Sequence, residues 1–296
     1  MDHLAPGVDA AGGHAGAVNA QPTPGLVPRL RELVTGLADL VLPGGCAGCA
    51  RPGPAWCARC AAGVSRPWLV AVPAIAAEPV GLPPTVAVGA YTGPLRAALL
   101  AYKERGRREL ARPLAGLLAG ALADGPVAAL LGGGVPLCSR PCWLVPAPSR
   151  VSAARVRGGS HMLALVELLA ERLAPRCVSA GGSVGVSEAL RMRGGGRDSV
   201  GLDALARSAN LRGRVLPRPG QLPPPGATVL LVDDVLTTGA TLRACAAVLR
   251  AAGVSVHGAV VLCDASGGRS AQRIGGSARR PKWVTAGQPT APGGFV

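Results

Sequence analysis

Two adjacent carboxylates followed by a run of small hydroxyl residues are the part of this sequence best suited to chemistry. The segment ATVLLVDDVLTTGAT, residues 227–241, places Asp233 and Asp234 at the end of an apolar run. The turn that opens the next helix consists of Thr237, Thr238, Gly239, Ala240 and Thr241. A helix that begins in such a turn exposes backbone N–H groups and the positive end of its dipole, and threonine hydroxyls add further donors. The turn therefore predicts a phosphate site.

The acidic pair is predicted to bind hydroxyl groups beside that phosphate. Carboxylates at the carboxyl end of a central strand lie where open α/β sheets bind ligands, and they accept hydrogen bonds from sugar hydroxyls. An acid pair or a Thr–Gly turn on its own more often serves as a helix cap. The unbroken order of apolar strand, paired acids and small-residue turn instead favours a phosphosugar site.

Four cysteines near the N-terminus form a candidate metal site. The segment CAGCARPGPAWCARC contains two CxxC pairs separated by seven residues, and its cysteines are Cys46, Cys49, Cys57 and Cys60. Each pair places two thiolates on one edge of a tetrahedron, so a structural Zn²⁺ with four protein ligands is predicted. An iron–sulfur cluster and a redox pair are the alternatives. Five further cysteines lie in or beside apolar runs and are predicted to be small core side chains, namely Cys138, Cys142, Cys177, Cys245 and Cys263.

The segment 227–241 resembles the phosphoribosyl pyrophosphate motif of type I phosphoribosyltransferases. The resemblance implies that Asp233 and Asp234 hold the ribose hydroxyls of phosphoribosyl pyrophosphate (PRPP) and that residues 237–241 hold its 5′-phosphate. It also implies that Mg²⁺ bridges pyrophosphate and ribose. The reaction would displace pyrophosphate at the anomeric carbon through a cationic transition state, which nearby carboxylates stabilise.

Further motifs are similar to those of the ComF family, phosphoribosyltransferase-like proteins linked to competence and DNA uptake. The matching segments are GPLRAALLAYKERGRREL at 93–110, LVPAPSR at 144–150, RVRGGSH at 155–161 and RDSVGLDALARSANLRG at 197–213, with the cysteine pairs ahead of them. The resemblance covers roughly residues 40–264. It implies a protein that binds PRPP and transfers its phosphoribosyl group to an unknown acceptor. The alternative is a non-enzymatic DNA-uptake factor that binds single-stranded DNA and contacts DNA-uptake proteins.

Three arginines that lie before and after the helix predicted at about 160–174 are candidates for contacts with pyrophosphate. The candidates are Arg155, Arg157 and Arg197. Planar guanidinium groups suit phosphate oxygens, although solvated basic loops are the alternative interpretation. No residue is identified as a general base, because His161 stands at a predicted helix start, a place typical of a structural histidine. The sequence predicts neither the acceptor nor the oligomeric state.

The elements around these motifs predict an α/β fold of the type I phosphoribosyltransferase kind, a mostly parallel sheet flanked by helices, with a small N-terminal four-cysteine zinc module. Strands are predicted at 85–91, at about 142–146, in VSEALRMR, in ATVLLVDDV and in VSVHGAVVLC. Helices are predicted at about 160–174, in GATLRACAAVLRAAG and in 93–125, where two helical runs are interrupted by a basic stretch at 103–108. Continuous apolar strands are buried on both faces, which is typical of parallel sheets.

Four segments are predicted along the chain. They are a disordered tail at 1–28, a helix with the zinc-binding module at 29–66, the phosphoribosyltransferase-like domain at 84–264 and a disordered basic tail at 265–296. The N-terminus lacks the features of a signal peptide, and the apolar windows are too short or too rich in proline to cross a membrane. We therefore expect a cytoplasmic protein without membrane insertion.

Composition limits the classes of partner. The 296 residues carry a formal net charge of +15, which favours polyanionic ligands such as phosphosugars, nucleotides or nucleic acid. Aromatic residues make up 2% of the chain, so the base-stacking surfaces common in single-strand and RNA-binding proteins are not expected.

Overall fold

A mostly parallel sheet flanked by helices forms the centre of the protein, as the sequence predicts. The computed structural model describes residues 45–64, 66–71, 81–123, 125–131, 137–148, 160–193, 213–267 and 272–273. The strands are β1 (Trp68–Leu69), β2 (Thr85–Ala90), β3 (Cys142–Pro146), β4 (Val184–Val186), β5 (Leu190–Met192), β6 (Val215–Pro217), β7 (Thr228–Leu236), β8 (Gly258–Asp264) and β9 (Gln272–Arg273). The helices are α1 (Ala58–Ala62), α2 (Gly93–Glu104), α3 (Ala111–Ala123), α4 (Gly125–Leu131), α5 (His161–Ser179) and α6 (Ala240–Ala251).

The strand β7 lies in the middle of the sheet. The strand order is β4-β3-β7-β8-β2-β1-β9, and the strands from β4 to β2 run parallel to one another. Only the short pairings of β1 with β2 and of β1 with β9 are antiparallel within the described sheet. Because the parallel neighbours β3 and β8 flank β7, the carboxyl end of β7 opens onto the edge where such sheets bind ligands.

Both faces of the sheet are covered. Helices α2, α3 and α5 pack on one face, with Leu99, Leu118 and Leu169 fully buried there. Helix α6 and the separate β5–β6 hairpin pack on the other face, through side chains such as Leu249 and Met192. This double coverage explains why the residues before Asp233 in β7 form an uninterrupted apolar run.

Helix α5 is longer than predicted. The sequence places its end near residue 174, ahead of Pro175, but the helix continues to Ser179. Leu173 and Cys177 lie one turn apart on its buried side and are each 1% exposed. The burial of these side chains offsets the backbone hydrogen bond that Pro175 cannot donate.

The segment VSEALRMR contributes to two sheets. Its first residue, Val186, ends the edge strand Val184–Val186 beside β3, and the chain then leaves the main sheet. Leu190–Met192 pairs antiparallel with Val215–Pro217 in the separate hairpin. The single strand predicted in this segment is therefore divided between the main sheet and the hairpin.

Several predicted features lie outside the described residues. They include the N-terminal helix, both ends of the chain and most of the loop between β5 and β6. Gln272–Arg273, inside the segment predicted as the C-terminal tail, pairs with β1. Among the helices that the structure describes, none is both long and apolar enough to cross a membrane.

Candidate functional site

The acidic pair sits at the carboxyl end of β7, with its two side chains on opposite faces of the sheet. Successive residues of a strand point to alternate faces. Asp234 therefore lies on the face covered by α2 and α5, where it contacts Lys103 and His161. Asp233 lies on the face covered by α6. These two adjacent residues thus place one carboxylate on each face of the sheet at the end of the strand.

Each acid uses one carboxylate oxygen for a contact within the protein. The Oδ2 atom of Asp234 accepts from Lys103 Nζ at 2.7 Å and from His161 Nε2 at 2.9 Å. The Oδ1 atom of Asp233 accepts from the backbone N–H of Asp234 at 2.8 Å. The remaining oxygens, Oδ1 of Asp234 and Oδ2 of Asp233, have no hydrogen-bond partner among the described residues. Within the part of the chain that the structure describes, two acceptor oxygens at the strand end are therefore without a donor.

The two carboxyl groups differ in their affinity for a proton. Burial, followed by the charge of Asp234, raises the pKa of Asp233 to about 7. Burial also acts to raise the pKa of Asp234, but the hydrogen bond from His161 and the charge of Lys103 outweigh it and lower that pKa. Asp234 is therefore the firmly ionised member of the pair.

The turn between β7 and α6 packs closely against its neighbours and contains a glycine in a left-handed conformation. Gly239 is the N-cap of α6 and has a φ of 75°, in the left-handed region. A Cβ atom at Gly239 would lie 2.9 Å from Leu82 Cδ1. The Nη1 atom of the buried Arg243 donates to the carbonyl of Thr238 at 2.6 Å and holds the turn from within. Thr237 is exposed, so the outer side of the turn faces solvent.

Gly239→Ala is expected to cost more stability than the same change at a left-handed glycine with open surroundings. Gly253 is the matched control, because its φ is 78° and nothing lies within 4 Å of a Cβ built there. In both variants the free energy of unfolding falls by about 1–2 kcal/mol, because alanine is placed in the left-handed region. Gly239→Ala loses up to ~1 kcal/mol of stability in addition, because the end of the partly exposed Leu82 side chain must shift. Urea unfolding measures both values, and equal losses would contradict the close packing of the turn.

Sequence reasoning missed the partners of the acidic pair. Lys103 belongs to a basic stretch that the sequence assigns only to the break between two helices, and no pattern predicts the contact of His161 with Asp234. Both residues lie in segments that carry the ComF resemblance, 93–110 and 155–161, and that is the signal that points to them. Tyr102, which precedes Lys103, donates from its hydroxyl to the carbonyl of His161 at 2.6 Å.

The arginines predicted to contact pyrophosphate are not placed by the structure. Arg155, Arg157 and Arg197 lie outside the described residues. Their assignment stays a prediction. The other predicted site residues, from Asp233 to Thr241, are all described and lie together at the end of β7 and the start of α6.

The four cysteines of the two CxxC pairs come together at metal-binding distance. Their sulfur atoms all lie within 4.8 Å of one another. Cys46 Sγ and Cys60 Sγ are 3.7 Å apart, and Cys49 Sγ and Cys57 Sγ are 3.8 Å apart. Zinc–sulfur bonds of about 2.3 Å give a regular tetrahedron with edges of about 3.8 Å. The cluster therefore has the size of a four-thiolate zinc site.

The backbone of the cluster favours a thiolate at Cys46. Burial acts to raise the pKa of Cys46, but backbone N–H groups of Cys57, Cys49 and Gly48 outweigh it and lower the pKa to about 6. The Cys57 N–H donates to Cys46 Sγ at 3.4 Å. The thiolate is the form that binds metal, and the backbone N–H groups favour that form at Cys46.

The cysteine module, residues 45–64, contacts the chain at the start of α2 and just beyond its end. At the start of α2, a Cβ atom on Gly48 would lie 2.8 Å from Pro94 Cβ and 2.9 Å from Cys60 Sγ, so the module fits there only with glycine. Beyond the end of α2, Arg107 Nη1 donates to the carbonyl of Gly45 at 2.8 Å. The module therefore contacts the chain at the start of the helix that carries Lys103 and just beyond its end.

Other cysteines behave as predicted where the structure describes their burial. Cys142, Cys177, Cys245 and Cys263 are buried thiols away from the cluster. Trp56, within the cysteine module, packs against the main core. The burial of Cys138 lies outside the described residues.

Comparison with known families agrees with the site at β7. Residues 207–287 match the model of the phosphoribosyl transferase domain, and this range contains both the acidic pair and the turn into α6. The match supports the phosphoribosyltransferase superfamily, and the mixed α/β fold with its mostly parallel sheet is consistent with the type I architecture. No curated protein matches the sequence.

Proposed function

We propose that this protein is a ComF-type phosphoribosyltransferase-like protein that binds PRPP with Mg²⁺ and transfers the phosphoribosyl group to an acceptor. One observation carries the proposal. Asp233 and Asp234 offer one unpartnered oxygen each among the described residues, directly ahead of the turn at the start of α6. A sugar that carries vicinal hydroxyls and a phosphate matches this order of groups.

The acidic pair supplies acceptors for the ribose. The 2′- and 3′-hydroxyls of PRPP each donate one hydrogen bond, and Asp234 Oδ1 and Asp233 Oδ2 can each accept one. Hydrogen bonds to an ionised acceptor are stronger than neutral ones. The same negative charge stabilises the positive charge that develops at the anomeric carbon when pyrophosphate leaves.

The turn into α6 supplies donors for the 5′-phosphate. Helix α6 has 12 residues, and its N-terminal N–H groups and dipole favour an anion. The hydroxyls of Thr237 and Thr241 have no hydrogen-bond partner among the described residues and can donate to phosphate oxygens. Gly239 allows the phosphate to approach the backbone.

Magnesium fits the chemistry of this ligand. When bound, Mg²⁺ neutralises the pyrophosphate and makes it a better leaving group. The bond from the anomeric carbon to pyrophosphate breaks, a bond to the acceptor forms, and the proton of the acceptor passes to solvent. The residues of this chain hold the ribose and the 5′-phosphate throughout.

Isothermal titration with PRPP tests the proposal. We expect binding in the presence of Mg²⁺ that is at least about tenfold tighter than binding of ribose 5-phosphate or of pyrophosphate alone, because PRPP fills both halves of the site. Pyrophosphate release across a panel of bases and amines, with ammonia and glutamine included, then tests for transfer. The absence of any PRPP binding would overturn the proposed function.

Single-stranded DNA binding is the second candidate function. The observation that favours it is the charge of the cysteine module, which carries the exposed Arg51 and Arg59 and contains no Asp or Glu. Contacts of arginine with DNA phosphates release counterions, so the affinity for oligothymidylate would fall steeply with salt. An affinity that stays unchanged between about 50 and 200 mM salt would exclude this role for the module.

A further inference from the structure

The carboxylate of Asp234 is held by two helices through a single oxygen. Lys103 reaches it from the last turn of α2 and His161 from the first turn of α5, and both bind Oδ2. We propose that Lys103 and His161 are positioning residues of the PRPP site, which fix Asp234 through Oδ2 so that Oδ1 faces the ribose. This inference rests on the proposed function of the acidic pair.

Burial makes a counterion at Asp234 necessary. The residue is 7% exposed, and a second carboxylate, Asp233, lies on the adjacent residue of the strand. An ionised carboxylate in such a place is costly unless it is paired and hydrogen-bonded. Lys103 supplies the positive charge, and its side chain is itself only 23% exposed. The ion pair therefore keeps Asp234 available as an acceptor.

His161 fixes the orientation of the same carboxylate. A carboxylate only accepts hydrogen bonds, so the Nε2 atom of His161 is the protonated nitrogen in this contact. The side chain of His161 is 9% exposed, and its ring meets the Tyr102 ring edge to face at a centroid distance of 6.0 Å. Packing leaves the imidazole little freedom to turn, and this restricts the rotation of Asp234 as well.

The two positioning residues are themselves held by the surrounding structure. The Tyr102 hydroxyl donates to the His161 carbonyl and connects α2 with α5. The Ser160 hydroxyl caps α5 by accepting from the Leu163 N–H at 3.2 Å. The cysteine module lies against Pro94 at the start of α2 and accepts a hydrogen bond from Arg107 just beyond its end. Lys103 is thus a fixed counterion and not a mobile surface lysine.

Removal of the Lys103 charge is the first test. Lys103→Met keeps the length of the side chain, and we expect it to weaken PRPP binding in Mg²⁺ about tenfold, because charge-assisted contacts at Asp234 are lost. Lys103→Arg keeps the charge and is expected to stay within about threefold of the wild type. Arg105→Met removes a charge from the exposed residue that caps the same helix, and it should change the affinity less than about twofold.

A double-mutant cycle separates positioning from direct attraction of the anionic ligand. In an Asp234→Asn background, Lys103→Met should have no further effect, because Lys103 would act through Asp234. His161→Ala removes the other donor to Oδ2 and should weaken binding in the wild-type background only, which keeps the test informative if Lys103→Met fails to fold. Melting curves identify such a failure.

The outcomes separate this inference from the proposed function. If the wild type does not bind PRPP, the proposed function fails and the inference fails with it. If the wild type binds PRPP and neither Lys103→Met nor His161→Ala changes its affinity, only the inference is overturned. An equal loss for Lys103→Met with and without Asp234 would likewise overturn positioning, since the lysine would then act on the ligand directly.

Discussion

Cys60→Ser is expected to abolish zinc binding and to destabilise the cysteine module by several kcal/mol. Cys60 is 4% exposed and its sulfur lies 3.7 Å from that of Cys46, so a serine hydroxyl there would be buried without the thiolate that the metal requires. Binding of structural zinc is coupled to folding, and free energies of about 10–16 kcal/mol are typical of small zinc modules. Metal analysis by mass spectrometry should find about one zinc per wild-type chain and none in Cys60→Ser.

Cys177→Ser is the matched control for this change. Cys177 is a buried thiol on α5, outside the cluster, and is 1% exposed. Its replacement should lower stability by about 1–3 kcal/mol through the burial of a hydroxyl, while one zinc per chain is retained. Iron and labile sulfide in place of zinc would support the iron–sulfur alternative. Wild-type protein that carries no metal when purified without chelator would contradict the cluster assignment.

The features that the sequence predicted well are those encoded over a short stretch. The strand, the acidic pair and the turn into α6 are contiguous, so the apolar run, the turn residues and the start of the helix can all be recognised within residues 227–241. The two CxxC pairs are equally local. The structure accordingly places the strand at Thr228–Leu236 and the helix at Ala240–Ala251, and it brings the four sulfur atoms together.

The features that the sequence did not predict depend on contacts between distant segments. His161 and Asp234 are 73 residues apart, and no local pattern pairs them. The extension of α5 past Pro175 depends on burial against the rest of the fold, which overrides the local preference to end the helix. The short strands β1 and β9 have two residues each, too few to show periodicity.

The largest expected effect on ligand binding comes from the acidic pair. Asn has the shape of Asp and keeps one carbonyl acceptor, but it lacks the negative charge. Hydrogen bonds to charged groups contribute about 1.5–3 kcal/mol each. At about one pH unit above the pKa of Asp233, which burial raises to about 7, both carboxyl groups are ionised, and their replacement in Asp233→Asn/Asp234→Asn should weaken PRPP binding by about 100-fold or more. The direction of the change in PRPP affinity is diagnostic, because PRPP is an anion. If the pair acted only as background charge, its removal would strengthen binding.

The single variant Asp233→Asn and the control Asp264→Asn test whether the loss of binding is only an indirect effect of lower stability or of a lost surface charge. Asp234→Asn leaves Lys103 without its ion-pair partner and is expected to lower stability, whereas Asp233 forms no ion pair among the described residues. Asp233→Asn alone is therefore the gentler change. Asp264→Asn alters an aspartate at the end of the neighbouring strand β8, where the carboxylate accepts from Ser266 and Trp68. It should leave PRPP affinity within about twofold of the wild type.

Titration of PRPP and Mg²⁺ into the wild type and into folded Asp233→Asn is the most direct test of the phosphosugar site. At about one pH unit above the pKa of Asp233, where its carboxyl group is ionised, we predict saturable binding of one PRPP per wild-type chain and a loss of affinity of about tenfold or more in the variant. Equal or tighter binding of PRPP by Asp233→Asn would contradict the assignment of the acidic pair to the ribose.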